Sequence, residues 1–287
     1  MSEKISTGLK SLTGTGKKAS GERPDNKEAA VRLRELILTM SKKANVGHIG
    51  SALSVVDILW ALYGNVLHIP SAKHPDRDRF VLAKGHAALA FYCCLHLKGL
   101  IGEETLSTYC GDGSALGVHP EHAFEWVDFA TGSLGQGLTN GVGAALAARL
   151  QNSSRRVFVL MSDAEANEGS VWEAIMFAAH HRLANLTVLV DLNGQQALGY
   201  TKDVLDLSPL SSKFRSFGWD AYDVDGHNIE EMVRVMDNLD FQTGRPHVLV
   251  AHTTFGKGVS FMENQIKWHY LPLSDEEYEK SMAEVRS

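Results

Sequence analysis

Arg156-Val157-Phe158-Val159-Leu160-Met161-Ser162-Asp163-Ala164-Glu165-Ala166-Asn167-Glu168-Gly169 is the stretch that decides the fold class. Its first half is apolar without alternation, which reads as a strand buried on both faces. It then turns polar at Ser162-Asp163, and a helical pattern follows over residues 171–181. The same grammar recurs at Leu186-Thr187-Val188-Leu189-Val190-Asp191, earlier at Arg79-Phe80-Val81-Leu82-Ala83, and later over residues 247–251, while residues 220–224 are a further candidate strand. Helical patterns lie between and around these runs. In residues 27–41, Ala30, Leu33, Leu36, Ile37 and Met40 recur at three- and four-residue steps; further helices are expected over residues 55–63, from His86 to Leu97, and over 144–150, 210–217 and 229–239. Residues 45–50 and 101–127 read as loops with short helices. Apolar strands alternating with helices specify α/β architecture: a parallel sheet covered by helices on both faces. The strands at 156–161 and 186–190 are expected to be neighbours. Ligands of such sheets sit beyond the carboxyl ends of the strands, where the polar motifs lie.

With 44% hydrophobic residues in 287, the chain can bury a large core, and residues 27–287 are read as one domain. Residues 1–26, rich in Ser, Thr, Gly and Lys, are read as a flexible tail. A net charge of −6 argues against a nucleic-acid partner and means that a phosphorylated ligand needs a local anion site. Cys93, Cys94 and Cys110 form neither a disulfide framework nor a CxxC metal pattern, and a reduced, cytoplasmic setting is expected. No apolar run is long enough to cross a membrane.

Three constellations carry chemistry. Asp163 and Asn193 each follow an apolar strand, so they converge at one sheet edge. A carboxylate, an amide oxygen and a backbone carbonyl suit a hard cation such as Mg²⁺, Ca²⁺ or Mn²⁺; strand-end Asp and Asn equally serve as caps and turns, and spacing alone leaves both open. Thr131-Gly132-Ser133-Leu134-Gly135-Gln136-Gly137 permits close backbone approach before a helix, but matches neither the dinucleotide fingerprint nor a Walker loop. Histidines flank glycine or proline at Gly47-His48, Gly85-His86 and His119-Pro120, where they can carry protons near neutral pH. His180, His181 and His247 are read as structural or solvent-facing. Gly111-Asp112-Gly113 has no strand before it and is read as a turn.

In this order, Ser41 to Gly50, Arg77 to Ala87, His119-Pro120-Glu121, Thr131 to Leu138, Asp163 to Ala174 and Asp191-Leu192-Asn193 together resemble the transketolase family, from about Leu33 to Tyr278. The resemblance implies the thiamine diphosphate-binding fold and its diphosphate-binding module. It implies a metal held by Asp163, Asn193 and the Gln195 carbonyl, and cofactor contacts from His86, Gly132, Leu134, Asp163, Ala164 and Asn193. His48, His86, His119 and His269 would line the substrate channel, and Glu168 matches a glutamate of the carboxylate network at the subunit interface. The implied reaction is transfer of a two-carbon ketol unit from a ketose to an aldose, with or without phosphate. It would require a second chain carrying the pyrimidine-binding half, two copies of each in the assembly. A deoxyxylulose phosphate synthase-like or pathway-specific ketol transfer, and a non-catalytic scaffold role, are the alternatives. The family's Gly-Asp-Gly stands here as Ser162-Asp163-Ala164, where Ala164 keeps the N–H that a phosphate would use.

Overall fold

The computed structural model describes residues 25–287. The tail expected over residues 1–26 therefore lies outside the described residues, except that Asp25 and Asn26 belong to the first helix: the Asp25 carboxylate accepts the Glu28 N–H at 2.7 Å as its N-cap.

In chain order the elements begin with helices α1 (Asn26–Ala44), α2 (Ile49–Ser54) and α3 (Val56–Trp60), the last continued by a π-helical turn, Ala61–Val66. Strand β1 (Arg79–Leu82), α4 (Ala88–Leu97), α5 (Glu103–Leu106) and α6 (Gln136–Leu150) come next, then β2 (Val157–Ser162), α7 (Gly169–His180) and β3 (Leu186–Leu192). A small hairpin, β4 (Gln195–Gln196) and β5 (Gly199–Tyr200), leads to α8 (Thr201–Val204) and α9 (Leu210–Ser216). The chain closes with β6 (Asp220–Asp225), α10 (Ile229–Asp237), β7 (His247–His252) and α11 (Asp275–Arg286).

Five strands form a parallel sheet in the order β1-β2-β3-β7-β6, with β2 and β3 adjacent as expected and Ser162 paired with Asp191 at their ends. Both faces are covered. Phe80, Leu82, Phe158, Leu160, Leu189 and Leu249 point into a core shared with α1, α3, α4, α10 and α11. Val81, Val157, Val159, Met161, Val188, Val190 and Val248 point into a second core under α6, α7 and α9. Strands β1, β2, β3 and β7 carry apolar residues on both faces, so their sequences show no alternation, whereas the edge strand β6 is largely polar. Among the described residues, no helix is long and apolar enough to cross a membrane.

The structure departs from the sequence reading in three places. The loop expected over residues 45–50 ends early, because α2 starts at Ile49 with His48 as its N-cap. The helix expected at 144–150 begins at Gln136, directly after Gly135. The closing helix α11 has no counterpart in the sequence reading, although Ser274 and Glu277 form a capping box at its start. Gly111-Asp112-Gly113 is an exposed turn, as expected.

Candidate functional site

Four adjacent strands deliver polar residues to one end of the sheet. β1 runs into Lys84, Gly85 and His86, β2 into Asp163, β3 into Asp191 and Asn193, and β7 into Thr253. The order of strands breaks between β3 and β7, which is where an open parallel sheet leaves a crevice for a ligand.

Asp163 and the 193–195 segment meet beside it, at the ends of the neighbouring strands β2 and β3. Asp163 is 6% exposed; its Oδ2 accepts the Gly194 N–H at 2.9 Å and the Thr201 hydroxyl at 3.3 Å, and its Oδ1 accepts the Ala164 N–H at 2.8 Å. None of these donors is charged. Burial, and then the nearby Asp191 charge, push the Asp163 carboxyl up to about 7. The Asn193 carboxamide oxygen accepts the Gln195 N–H at 2.9 Å and keeps a second lone pair. A buried carboxylate with no ion pair among the described residues, facing a segment that offers an amide oxygen and backbone carbonyls, is a donor set that a hard divalent cation fits. Among the described residues no group of three or more His, Cys, Asp or Glu could hold a metal; a cation here needs the amide and carbonyl oxygens as well.

The glycine loop forms the opposite wall. The Thr131 hydroxyl donates to the Leu82 carbonyl at 2.6 Å, tying the loop to the end of β1. Gly135 sits at φ 88°, where a side chain would be strained and would strike Glu168 and Ser170. Ser170 Oγ donates to the Gly135 carbonyl at 3.0 Å, docking the start of α7 on this loop. Gly132 and Leu134 are half-buried along it, and Gly132 lies beside the His119 ring. Glu168 is exposed at the N-cap of α7, against Gly135. The Ala164 N–H is turned to Asp163 rather than left free for a phosphate.

Four histidines from distant parts of the chain converge. The His48 ring centroid lies 5.5 Å from His86, 6.4 Å from His119 and 5.4 Å from His269, and His86 lies 5.4 Å from His269. His48 holds a left-handed backbone (φ 61°), and a Cβ on Gly47 would come 2.2 Å from the Tyr270 carbonyl. Only glycine lets these two segments touch and bring His48 to His269. Burial, Lys84 and the neighbouring rings hold the His86 imidazole well below the usual histidine range. Burial, then His48, then Lys84 push His269 down to about 4, and burial followed by His119 and Lys84 also lowers His48. These rings are neutral near pH 7. Among the described residues, the buried Nδ1 atoms of His48 and His269 have no hydrogen-bond partner, an arrangement that a polar ligand would satisfy.

Sequence reasoning missed two groups. Lys84 and Asp191 form an ion pair with both side chains fully buried. A lysine directly after an apolar strand was the available signal. Glu165 is fully buried within a stretch that reads as a polar loop; its carboxylate accepts the Gly135 N–H at 2.9 Å and the Ser162 N–H at 3.4 Å, while Ser162 Oγ accepts the Glu165 N–H at 3.1 Å. It therefore joins the 162–164 turn to the glycine loop. Burial raises this carboxyl to about 7, against the pull of those two N–H groups.

A sheet-end cation set facing a glycine loop and a histidine cluster defines the class of thiamine diphosphate-binding domains. The family described as transketolase, thiamine diphosphate binding domain, matches residues 25–285, and the chain belongs to it. The chain is 38% identical over 254 residues to one of the separate subunits of the apulose-4-phosphate transketolase of Phocaeicola vulgatus, covering 88% of this chain and 90% of that one. It is 37% identical over 269 residues to the 6-deoxy-6-sulfo-D-fructose transketolase subunit SqwG of a Clostridium species, covering 93% and 98%. The structure of Campylobacter jejuni transketolase superposes with a TM-score of 0.82 at 30% identity, covering 91% of this chain and 42% of that one. The chain thus spans under half of that longer transketolase and nearly all of the separate subunits.

Proposed function

We propose that this chain is the diphosphate-binding half of a two-chain transketolase and moves a two-carbon ketol unit from a ketose to an aldose. The observation that carries the reading is the meeting of Asp163 with the 193–195 segment at neighbouring strand ends, beside four convergent histidines. The Asp163 carboxylate, the Asn193 carboxamide oxygen and the Gln195 backbone carbonyl would hold a divalent cation, whose charge would offset that of a diphosphate. Gly132, Leu134 and the 163–164 turn would contact the cofactor, and His86 would lie near the diphosphate and the substrate. Bound thiamine diphosphate supplies the electron sink for breaking the ketose C–C bond. His48, His86, His119 and His269 supply the proton traffic: a neutral imidazole takes the proton from a sugar hydroxyl as the bond breaks and returns it to the aldose. Burial holds the His86 and His269 rings below the usual histidine range, which suits them as acceptors.

The partner is a chain carrying the pyrimidine-binding half, in an assembly of two copies of each; the two bacterial relatives, themselves named as transketolase subunits, support a divided enzyme. An apolar rim beside the site supports it too. Leu198 is 80% exposed, Leu205 52%, Tyr270 54% and Leu271 48%. The Tyr270 hydroxyl donates to the Ala197 carbonyl, so the hairpin holding Gln195 and the segment holding His269 present one face. Glu168, exposed at the α7 N-cap, belongs to the same contact. One relative is named for a sugar phosphate and the other for a sulfosugar, so the common denominator for the donor is a ketose.

Calorimetry with thiamine diphosphate and Mg²⁺ on the reconstituted pair tests the reading. Saturable, Mg²⁺-dependent binding with ketol transfer is the expected result. An intact two-chain complex that binds neither would sink it.

A further inference from the structure

Asp191 lies at the carboxyl end of β3, fully buried, and takes part in no step described above. Donors from four segments converge on its carboxylate. Oδ2 accepts the Ser54 hydroxyl from α2 at 2.8 Å, the Asn193 Nδ2 group at 2.8 Å and the Lys84 ammonium; Oδ1 accepts the Thr253 hydroxyl that follows β7. Oδ2 thus takes three donors and Oδ1 one, so the carboxylate is held from four sides.

We propose that Asp191 is a positioning residue that fixes which end of the Asn193 carboxamide faces the cation. The inference rests on the cation reading given above. An amide has an oxygen end and an NH₂ end of nearly the same shape, and only the oxygen end can ligate a cation. An ionised carboxylate accepts and never donates, so the Asn193 NH₂ must turn to Asp191. The Gln195 N–H, donated to Asn193 Oδ1 at 2.9 Å, selects the same orientation from the other side. Ser54, Lys84 and Thr253 hold the carboxylate still, and the Lys84 ammonium compensates its charge in a place without water. Asp191 thus does for an amide ligand what a carboxylate behind a metal-bound histidine does for that ring.

The experiment uses the full chain with its partner, thiamine diphosphate and Mn²⁺ as probe. Cation affinity is read from the spin-resonance signal of bound Mn²⁺, and folding from circular dichroism. In Asp191→Asn the facing amide accepts Asn193 in either orientation, and affinity falls by about 10–100-fold, the range for outer partners of metal ligands. Lys84→Met/Asp191→Asn removes both buried charges, covers the case in which the single variant does not fold, and shows the same loss. The exchange Asp191→Asn/Asn193→Asp restores most of the affinity, because an aspartate offers the cation an oxygen either way round. Undiminished Mn²⁺ binding in folded Asp191→Asn or in the double variant overturns the proposal. So does a loss that the exchange leaves unrepaired, since Asp191 would then serve only as the counter-ion of Lys84. A wild-type complex that binds no Mn²⁺ with thiamine diphosphate removes instead the cation reading on which the proposal depends.

Discussion

The two ends of the sheet differ in how fully they pair their charges: at the carboxyl ends Lys84 and Asp191 pair, but the carboxylates beside them do not. At the amino ends of β1 and β2, buried charges meet their opposites. Asp128 accepts both Arg77, at 2.7 and 3.0 Å, and Arg79, at 2.9 Å. Asp78, 4% exposed, accepts two bonds from Arg156 and the His68 N–H. At the carboxyl ends, Asp163 has only neutral donors, Glu165 is held by backbone N–H groups, and two imidazole nitrogens have no partner among the described residues. The paired end is where the chain holds itself together. The under-satisfied end is where it waits for something else, as functional sites with perturbed titrating groups do.

The contrast can be broken in four ways. The largest effect is expected for Asp163→Ala, which lowers ketol transfer of the two-chain complex by about 10³-fold, as losing several kcal/mol of charge stabilisation implies. The chain still folds, as circular dichroism will show, because the residue removed is a poorly compensated buried carboxylate. Retained transfer would contradict the cation assignment. At the other end, Asp128→Ala strands two arginines and lowers stability by about 3–5 kcal/mol in urea unfolding. At a temperature where the variant is folded, its affinity for thiamine diphosphate with Mg²⁺ stays that of the wild type. A weakened affinity there would show that the two ends are coupled.

His269→Asn is expected to lower kcat/KM by about 10²-fold, the lower range for a proton carrier, with small change in stability at pH 7. Its pH dependence has a definite sign. The folded His269 titrates at about 4, below the ordinary histidine value of 6.5 in the unfolded chain. Between those values the unfolded state holds more protons, so this group's contribution is full above pH 6.5 and is lost as pH falls toward 4. Wild-type stability should therefore fall more steeply than that of the variant across this window; parallel curves would show that the ring is not held neutral. The smallest effect belongs to Ser162→Gly, which restores the family's residue and removes the acceptor of the Glu165 N–H. Stability drops by about 1 kcal/mol, and cation affinity does not change. A large loss of affinity would move Ser162 into the ligand set.

Much of this could be read from the chain. Unbroken apolar runs betrayed strands covered on both sides, and their polar exits do gather at the carboxyl end of the sheet. Asp163 and Asn193 were readable because each sits just past such a run. Other features were hidden for physical reasons. Gly50 and the left-handed His48 make the start of α2 look like a loop, since the cue for it is a tertiary contact between Gly47 and the Tyr270 carbonyl. Ser54, Lys84 and Thr253 reach Asp191 from remote parts of the sequence, so no spacing rule gathers them. Glu165 looks like surface because its neighbours Ala164, Asn167 and Glu168 are partly or fully exposed; only the N–H groups of Ser162 and Gly135 account for its burial. The capping box of α11, by contrast, is a purely local signal that the sequence reading passed over.

The uncovered face formed by Leu198, Leu205, Tyr270 and Leu271 has a consequence for how such a protein is made. Side chains of this kind grouped at one place attract any similar surface nearby. Chains synthesised in surplus would find one another and precipitate, so matched production of both halves protects solubility as much as it completes an enzyme.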